Sequence, residues 1–249
     1  MTDQGPGLGG RVLWQDDDFL VLNKVPGESA ESPESPSDSI TGLPRLLQQE
    51  FGTPFFPVHR LDVPVSGCVL FARNPRALAF LSECFRTPGK VEKIYWAVTE
   101  APRKAGGSLP PEPPAYAELV HWLERGPGNR SAAFDSGGPG RKKSVLRCRT
   151  LGRGDHYLFL EVKLVTGRHH QIRAQLSRAG LPVKGDLKYG ARRSEKGGGI
   201  RLHAYSLAFP SPRNGLIRVE SPPPLPLIDN LWRAFIEAAC PPAQAPAGP

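Results

Sequence analysis

The 249-residue chain has no run of eighteen apolar residues, so nothing in it is long enough to cross a membrane as a helix. Its start, MTDQGPGLGG, lacks the charged-then-apolar pattern of a secretory leader, and a cytoplasmic protein is expected. Cysteine is scarce. Cys68, Cys84, Cys148 and Cys240 are widely spaced with no C-x-x-C pair, which argues against a zinc site or a disulfide framework and leaves reduced thiols packed as small apolar groups. No internal repeat is visible. Gly5, Gly7 and Gly10 formally fit G-x-G-x-x-G, but no strand precedes them, as a dinucleotide fingerprint requires. What remains is a loop-rich globular chain: 39% hydrophobic, with 28 Pro and 27 Gly, and long enough to bury a good core.

Charge is present but unevenly spread. The segment 141–201 holds sixteen Lys and Arg against four Asp and Glu, a local +12 in a chain of net +8, so the remainder sums to −4. One basic region attracts polyanions by steering and counterion release. A membrane surface would want those charges along one face of a long amphipathic helix. Here they are spread over several predicted strands and turns.

Along the chain, residues 1–10 and 241–249 are expected as flexible tails around one domain, 11–240. Residues 11–15 and 19–23 read as a hairpin turning at Asp16, Asp17 and Asp18. The acidic, Pro/Ser-rich stretch 28–39 reads as a mobile loop, followed by a short helix near 39–50. Strand 67–73 leads into a helix from Pro75 to Phe85, with Leu78, Leu81 and Phe85 as its apolar stripe. Strands follow at 91–99 and 115–123, joined by a Pro/Gly-rich connection, and 125–143 reads as a second flexible loop. Strands 144–151 and 156–165, a helix 168–179, strands 201–209 and 215–220 and a terminal helix 227–239 complete the chain. Strands dominate without regular strand–helix alternation, which implies an α+β fold with a mixed, mostly antiparallel sheet flanked by helices.

Three segments carry the chemistry: HRLDVPVSG (59–67), KIYWAV (93–98) and TGRHHQIRAQL (166–176). In this order they resemble the HRLD-x-x-[TV]-SG, K-x-Y-x-A and TGR-x-HQ-[IL]-R motifs of the RluA family of RNA pseudouridine synthases. The resemblance runs from about residue 11 to 212 and takes in VLWQDDDFLVLNKVPG (12–27), GCVLFARNPRAL (67–78), AGLPVKGDLKYG (179–190) and RLHAYSLAFPSP (201–212). Val63, Pro64 and Val65 depart from it where many members have a charged residue and a Thr, so a hydroxyl is lost at Val65. Residues 28–42 replace a more regular loop. With about ten residues before the first core strand, the small N-terminal S4 module of many relatives is expected to be missing.

The resemblance implies a pseudouridine synthase-like core that breaks the N1 glycosidic bond of uridine and rejoins the base through C5. No redox change occurs, and no cofactor is expected. Asp62 would be the catalytic carboxylate, held ionised by a neighbouring guanidinium. Arg173 is its candidate partner, one step off the Ile172, Leu176, Ala179 stripe of its helix and able to reach a loop from that boundary. Tyr95 points away from Ile94 and Trp96 on its strand; the resemblance stacks it on the target base and makes its phenol a candidate for the C5 proton step. Arg60 would fill the space left by an extruded uridine. His59 would order the loop and sit beside the RNA, and Gly167 and Arg168 would meet a phosphate at a helix start. Lys142, Lys143, Lys184 and Lys188 are generic phosphate candidates. His169 and His170, adjacent in sequence, diverge on a helix and do not make a metal site. The expected partner is ribosomal or transfer RNA, acted on by a monomer without metal or membrane. Two rivals stand beside this: a non-catalytic RNA-binding or ribosome-assembly protein of the same fold, and a nucleoside hydrolase, which would want a second acid near Asp62.

Overall fold

The computed structural model describes residues 7–31, 42–102, 109–195, 198–223 and 229–239 and gathers eleven strands into one sheet. The expected hairpin is β1 (Val12–Gln15) and β2 (Phe19–Lys24), with Asp16 Oδ1 accepting from Asp18 N and Phe19 N at 2.8 Å to close the turn. Helix α1 (Leu43–Phe51) follows, then β3 (Phe56–Pro57), β4 (Ser66–Ala72) and α2 (Pro75–Arg86). Asn74 caps α2 by accepting from Ala77 N at 2.8 Å, and Pro75 occupies the first turn, where a missing donor is harmless. Its buried line is Ala77, Leu81 and Cys84, with Leu78 and Phe85 only partly covered. The long strands are β5 (Glu92–Glu100), β6 (Ala117–Gly126), β7 (Arg130–Phe134), β8 (Lys142–Arg153) and β9 (Tyr157–Leu164). Helix α3 (Gln171–Arg178), strands β10 (Leu202–Ser211) and β11 (Gly215–Glu220) and helix α4 (Asn230–Ala239) close the chain.

The strand order is β1-β2-β4-β10-β5-β9-β8-β6-β7, with β11 against β10 and β3 against β4. Every ladder is antiparallel except β4–β10, where His203 faces Ser66 and Ala204 faces Gly67. Alternation along the strands divides the core by face. Leu20, Leu22, Val69, Phe71, Tyr95, Ala97, Leu160 and Leu202 pack with α1 and α3 on one side. Phe19, Val21, Leu70 and Phe209 meet α2 on the other, where Trp96, Val98 and Phe159 receive Trp232 and Phe235 of α4. No helix among the described residues is long and apolar enough to cross a membrane.

Several expectations are corrected. Residues 8–11 are not a loose tail but a 3-10 turn, because Leu8 finds a place in the main core and Gly9 N donates to Glu50 at 2.7 Å. The expected loop 125–143 contains β7, since Gly128 and Asn129, at φ of 65° and 52°, close a tight turn that pairs Gly126 with Arg130. Within the expected acidic loop, Glu28 is held by Arg11 at 2.8 Å. The mobile-loop expectation for 32–39, the centre of the 101–114 connection (103–108), the outer tails 1–6 and 241–249, and Cys240 lie outside the described residues. Helix α3 starts at Gln171 rather than at 168: His170 is left-handed at φ 51°, and Gln171 Oε1 accepts from Thr166 Oγ1 at 2.8 Å and Arg168 N at 2.9 Å, holding 166–168 as a loop.

Candidate active site

The HRLDVPVSG segment links β3 to β4, and its rigidity has local causes. Gly67 lies at φ 112° where a Cβ would come within 2.3 Å of Ala204 O, so no side chain fits at the β4–β10 junction. Next to it, Ser66 Oγ and His203 Nδ1 are 2.8 Å apart, and His203 Nε2 lies 2.7 Å from Ser221 O, a donor to it. The turn itself is closed by Val65 N donating to Asp62 O at 2.9 Å. Gly27 N and Ile200 N donate to Val63 O and Pro64 O at 2.8 and 3.0 Å. Lys24, fully buried, donates its ammonium to the carbonyls of Val25, Val63 and Val65 at 3.1, 3.0 and 2.6 Å. Burial draws the Lys24 pKa down to about 8, with Glu28 and Asp62 opposing.

On that turn Asp62 meets Arg173, whose Nη1 donates to Asp62 Oδ2 at 3.0 Å. Arg173 is not at a boundary. It is 5% exposed, because the first six residues of α3 are all buried, and Asp186 accepts from its Nε and Nη2 at 2.7 and 2.9 Å. A forked, fully charge-assisted contact of this kind fixes the guanidinium plane. Its third edge is thereby aimed at Asp62. The Tyr189 ring lies under the guanidinium at 4.8 Å.

A second line of support reaches Asp62 through His170. Ser131 N donates to Tyr189 Oη at 2.8 Å, which leaves the hydroxyl proton for His170 Nδ1 at 2.9 Å and places the imidazole hydrogen on Nε2, 3.5 Å from Asp62 Oδ2. Burial first, then Arg173, depresses the His170 pKa to about 3, so the ring is neutral. His169 stacks on it at 3.8 Å and its Nδ1 lies 2.9 Å from Ser131 Oγ. The two histidines do not diverge, because the left-handed turn at His170 folds them together.

Asp62 borders a cavity of about 680 Å³ in which it is the lone acid among the described lining residues, facing Arg60, Arg86, Lys93, Arg125 and Arg168. Tyr95 lines the same space, 8% exposed, its phenol held protonated well above the usual tyrosine range by burial and then by the charge of Asp62. His59 lines it too, stacked on Phe85 at 5.0 Å and accepting from Leu70 N at 3.2 Å; burial, then Lys93, takes its pKa down to about 3. Arg60 reaches out half exposed and pairs with Glu31 at 2.8 Å.

The four lysines are not in this wall. Lys142 and Lys143 are exposed at the start of β8, and Lys188 donates to Asn129 O at 2.9 Å. Lys184 is bound to Glu195 in a cluster with Arg201, so its charge is neutralised within the protein. Lys24, His170, Asp186 and Tyr189 escaped sequence reasoning. For Asp186 a signal existed: it is one of only four acids in the basic stretch 141–201.

Solved structures share this architecture. The human RNA pseudouridylate synthase domain containing 1 superposes with a TM-score of 0.69 over 93% of this chain and 95% of its own, at 25% identity. The human domain containing 4 protein gives 0.66 over 93% and 94%, at 20% identity, and speaks for the fold. The RNA pseudouridylate synthase family model matches residues 18–178. An uncharacterized RNA pseudouridine synthase of Zymomonas mobilis is 33% identical over 228 residues, 90% of this chain and 98% of that one. Ribosomal large subunit pseudouridine synthase C of Yersinia pestis is 31% identical over 239 residues, 93% of this chain and 69% of that one. The fold and the family match are those of an RNA-modifying isomerase. The chain belongs to the RNA pseudouridylate synthase family, in its RluA branch, and is an RNA pseudouridine synthase.

Proposed function

We propose that the cavity beside Asp62 takes a uridine extruded from structured RNA and that Asp62 is the carboxylate on which its isomerisation turns. Ribosomal RNA is the first target class, because the Yersinia pestis relative is named for the large ribosomal subunit; transfer RNA is the second. The observation that carries the reading is the excess negative charge at Arg173: one guanidinium serves two carboxylates, and of these Asp62 opens on a cavity whose other charged lining residues are cations.

In this reading Asp62 acts at C1′ or C6 while the N1–C1′ bond breaks and a C5–C1′ bond forms. The proton lost from C5 is balanced by one gained at N1. Tyr95 supplies a face for the detached uracil. The phenol, held protonated by burial in the resting site, faces the same cavity and is the candidate for the C5 proton step. Arg60 occupies the gap in the helix and offsets the unstacking cost, a few kcal/mol in such reactions. Arg168 lies at the cavity mouth and His59 orders the loop, while Lys142 and Lys143 hold flanking phosphates without reading bases.

The test compares pseudouridine maps of total RNA from cells with and without the protein, then adds back wild type or Asp62→Asn. One or more sites should vanish on deletion and return only with wild type, the variant losing roughly a thousandfold or more in single turnover while keeping fold and RNA affinity. A variant retaining a tenth of the wild-type rate would remove Asp62 from the chemistry. No vanishing site would favour the non-catalytic RNA-binding reading.

A further inference from the structure

Lys93 and Tyr95 sit two apart on β5, so their side chains share one face of the strand, and both line the cavity beside Asp62. Three of the four neighbouring cations are occupied. Arg60 pairs with Glu31, Arg86 with Glu83, and Arg125 donates to Asn129 Oδ1 at 3.0 Å. Arg168 and Lys93 have no side-chain ion pair or hydrogen bond among the described residues, but Arg168 is exposed to water whereas Lys93 is half-buried. It lies 5.5 Å from the centre of the Phe85 ring and against Gly167, where even an added methyl would come within 3.2 Å of Nζ. Burial lowers its pKa below the ordinary lysine value, a mark of lost hydration without compensation.

An ammonium drawn out of water with one aromatic ring as its favourable contact lacks an anion. The cavity's own acid, Asp62, bonds to Arg173 and forms no ion pair with Lys93 among the described residues. The missing charge must come from outside, and an RNA strand brings one per nucleotide. Alternate residues on a strand lie roughly 6.6 Å apart, a span comparable with that from a base to the phosphate of its own nucleotide.

We infer that Lys93 binds a backbone phosphate at the target uridine, so that the nucleotide is fixed at both ends, by its phosphate on Lys93 and by its base on Tyr95. The inference rests on the reading of this cavity as the uridine site. It also accounts for a cation at Lys93 whose side chain packs against Gly167 rather than standing as a free surface charge.

The experiment measures three things on the full chain for wild type, Lys93→Met and Lys93→Arg: salt dependence of binding to a short oligouridine, thermal midpoint, and turnover on total RNA from cells lacking the protein. Lys93→Met should weaken oligouridine binding roughly tenfold and reduce the magnitude of the log–log salt slope by about 0.7, the share of one single-strand phosphate. Its thermal midpoint should hold or rise, because a charge without a partner has been removed, and Lys93→Arg should restore the slope. An unchanged slope, or a fall in midpoint that accounts for the loss of binding, would overturn the inference. Turnover separates the two readings: a wild type that makes no pseudouridine sinks the uridine-site reading, whereas an active wild type with a Lys93→Met slope equal to its own sinks only the phosphate contact.

Discussion

Two buried arginines make almost the same contacts and do different work. Arg173 gives Nε and Nη2 to Asp186 at 2.7 and 2.9 Å and Nη1 to Asp62 at 3.0 Å. Arg201 gives Nε and Nη2 to Glu195 at 2.9 and 3.0 Å and Nη1 to Asp229 at 3.1 Å. What differs is the balance around them. Lys184 adds a second cation to Glu195, and Asp229 also accepts from Leu231 N and Trp232 N at 3.1 Å at the start of α4, so that cluster is neutral and satisfied. Around Arg173 two carboxylates share one cation, and Asp62 keeps free oxygen capacity toward the cavity. A saturated cluster fastens a helix. An undersaturated one is chemically available.

The sharpest way to break this comparison is to remove each cation. Arg173→Met should lower kcat by roughly 100- to 1000-fold and lower stability by about 3–5 kcal/mol. Arg201→Met should give a comparable drop in denaturant-measured stability with unchanged activity per folded molecule. An Arg173→Met that keeps its kcat, or an Arg201→Met that loses activity per folded molecule, would undo the distinction.

Asp186→Asn sharpens it from the other side. The fork that orients Arg173 loses its charge, so kcat should fall roughly tenfold with little change in KM, since Asp186 is buried behind Arg173 and meets no substrate. Next in size is Arg60→Ala. If Arg60 supports the extruded state, a structured hairpin should suffer roughly tenfold more than an unstacked RNA in single-turnover rate; equal losses would leave Arg60 as a loop-ordering or general phosphate residue.

The smallest effect is one of pH. His170 and His59 have folded pKa values of about 3, below the ordinary 6.5, so between those values an opened state takes up protons that the closed one refuses. Stability is therefore full above about 6.5 and declines as the pH falls toward 3. The carboxylates around Arg201 are held below their usual range and still ionised at mildly acid pH. Hydrogen exchange in mild acid should accordingly quicken around residues 168–173 more than in α4.

How much of this was legible beforehand follows from what a sequence encodes. Asp62, Tyr95 and Arg173 stood out because each lies in a short local pattern, and the strand-rich α+β layout followed from alternation. Asp186 and Lys24 are joined to the Asp62 loop through space; Asp186 is marked in the chain only as a rare acid within 141–201, and nothing near Lys24 announces its role. The start of α3 was misjudged because periodicity cannot register a left-handed residue at His170 or a glutamine that folds back on Thr166. Strand β7 was missed since RSAAF is short and small-residue-rich, and its turn, Pro127-Gly128-Asn129, looks the same in a flexible loop.

The contact between Gly67 and Ala204 has a wider meaning for how this protein meets RNA. It welds the Asp62 turn to the parallel β4–β10 seam within the sheet, with strands on both sides. To shift that turn by a residue's width, the molecule would have to unzip along that seam. The protein is in this respect an anvil, and on the proposed reading the deformation that brings a uridine to Asp62 is made in the RNA.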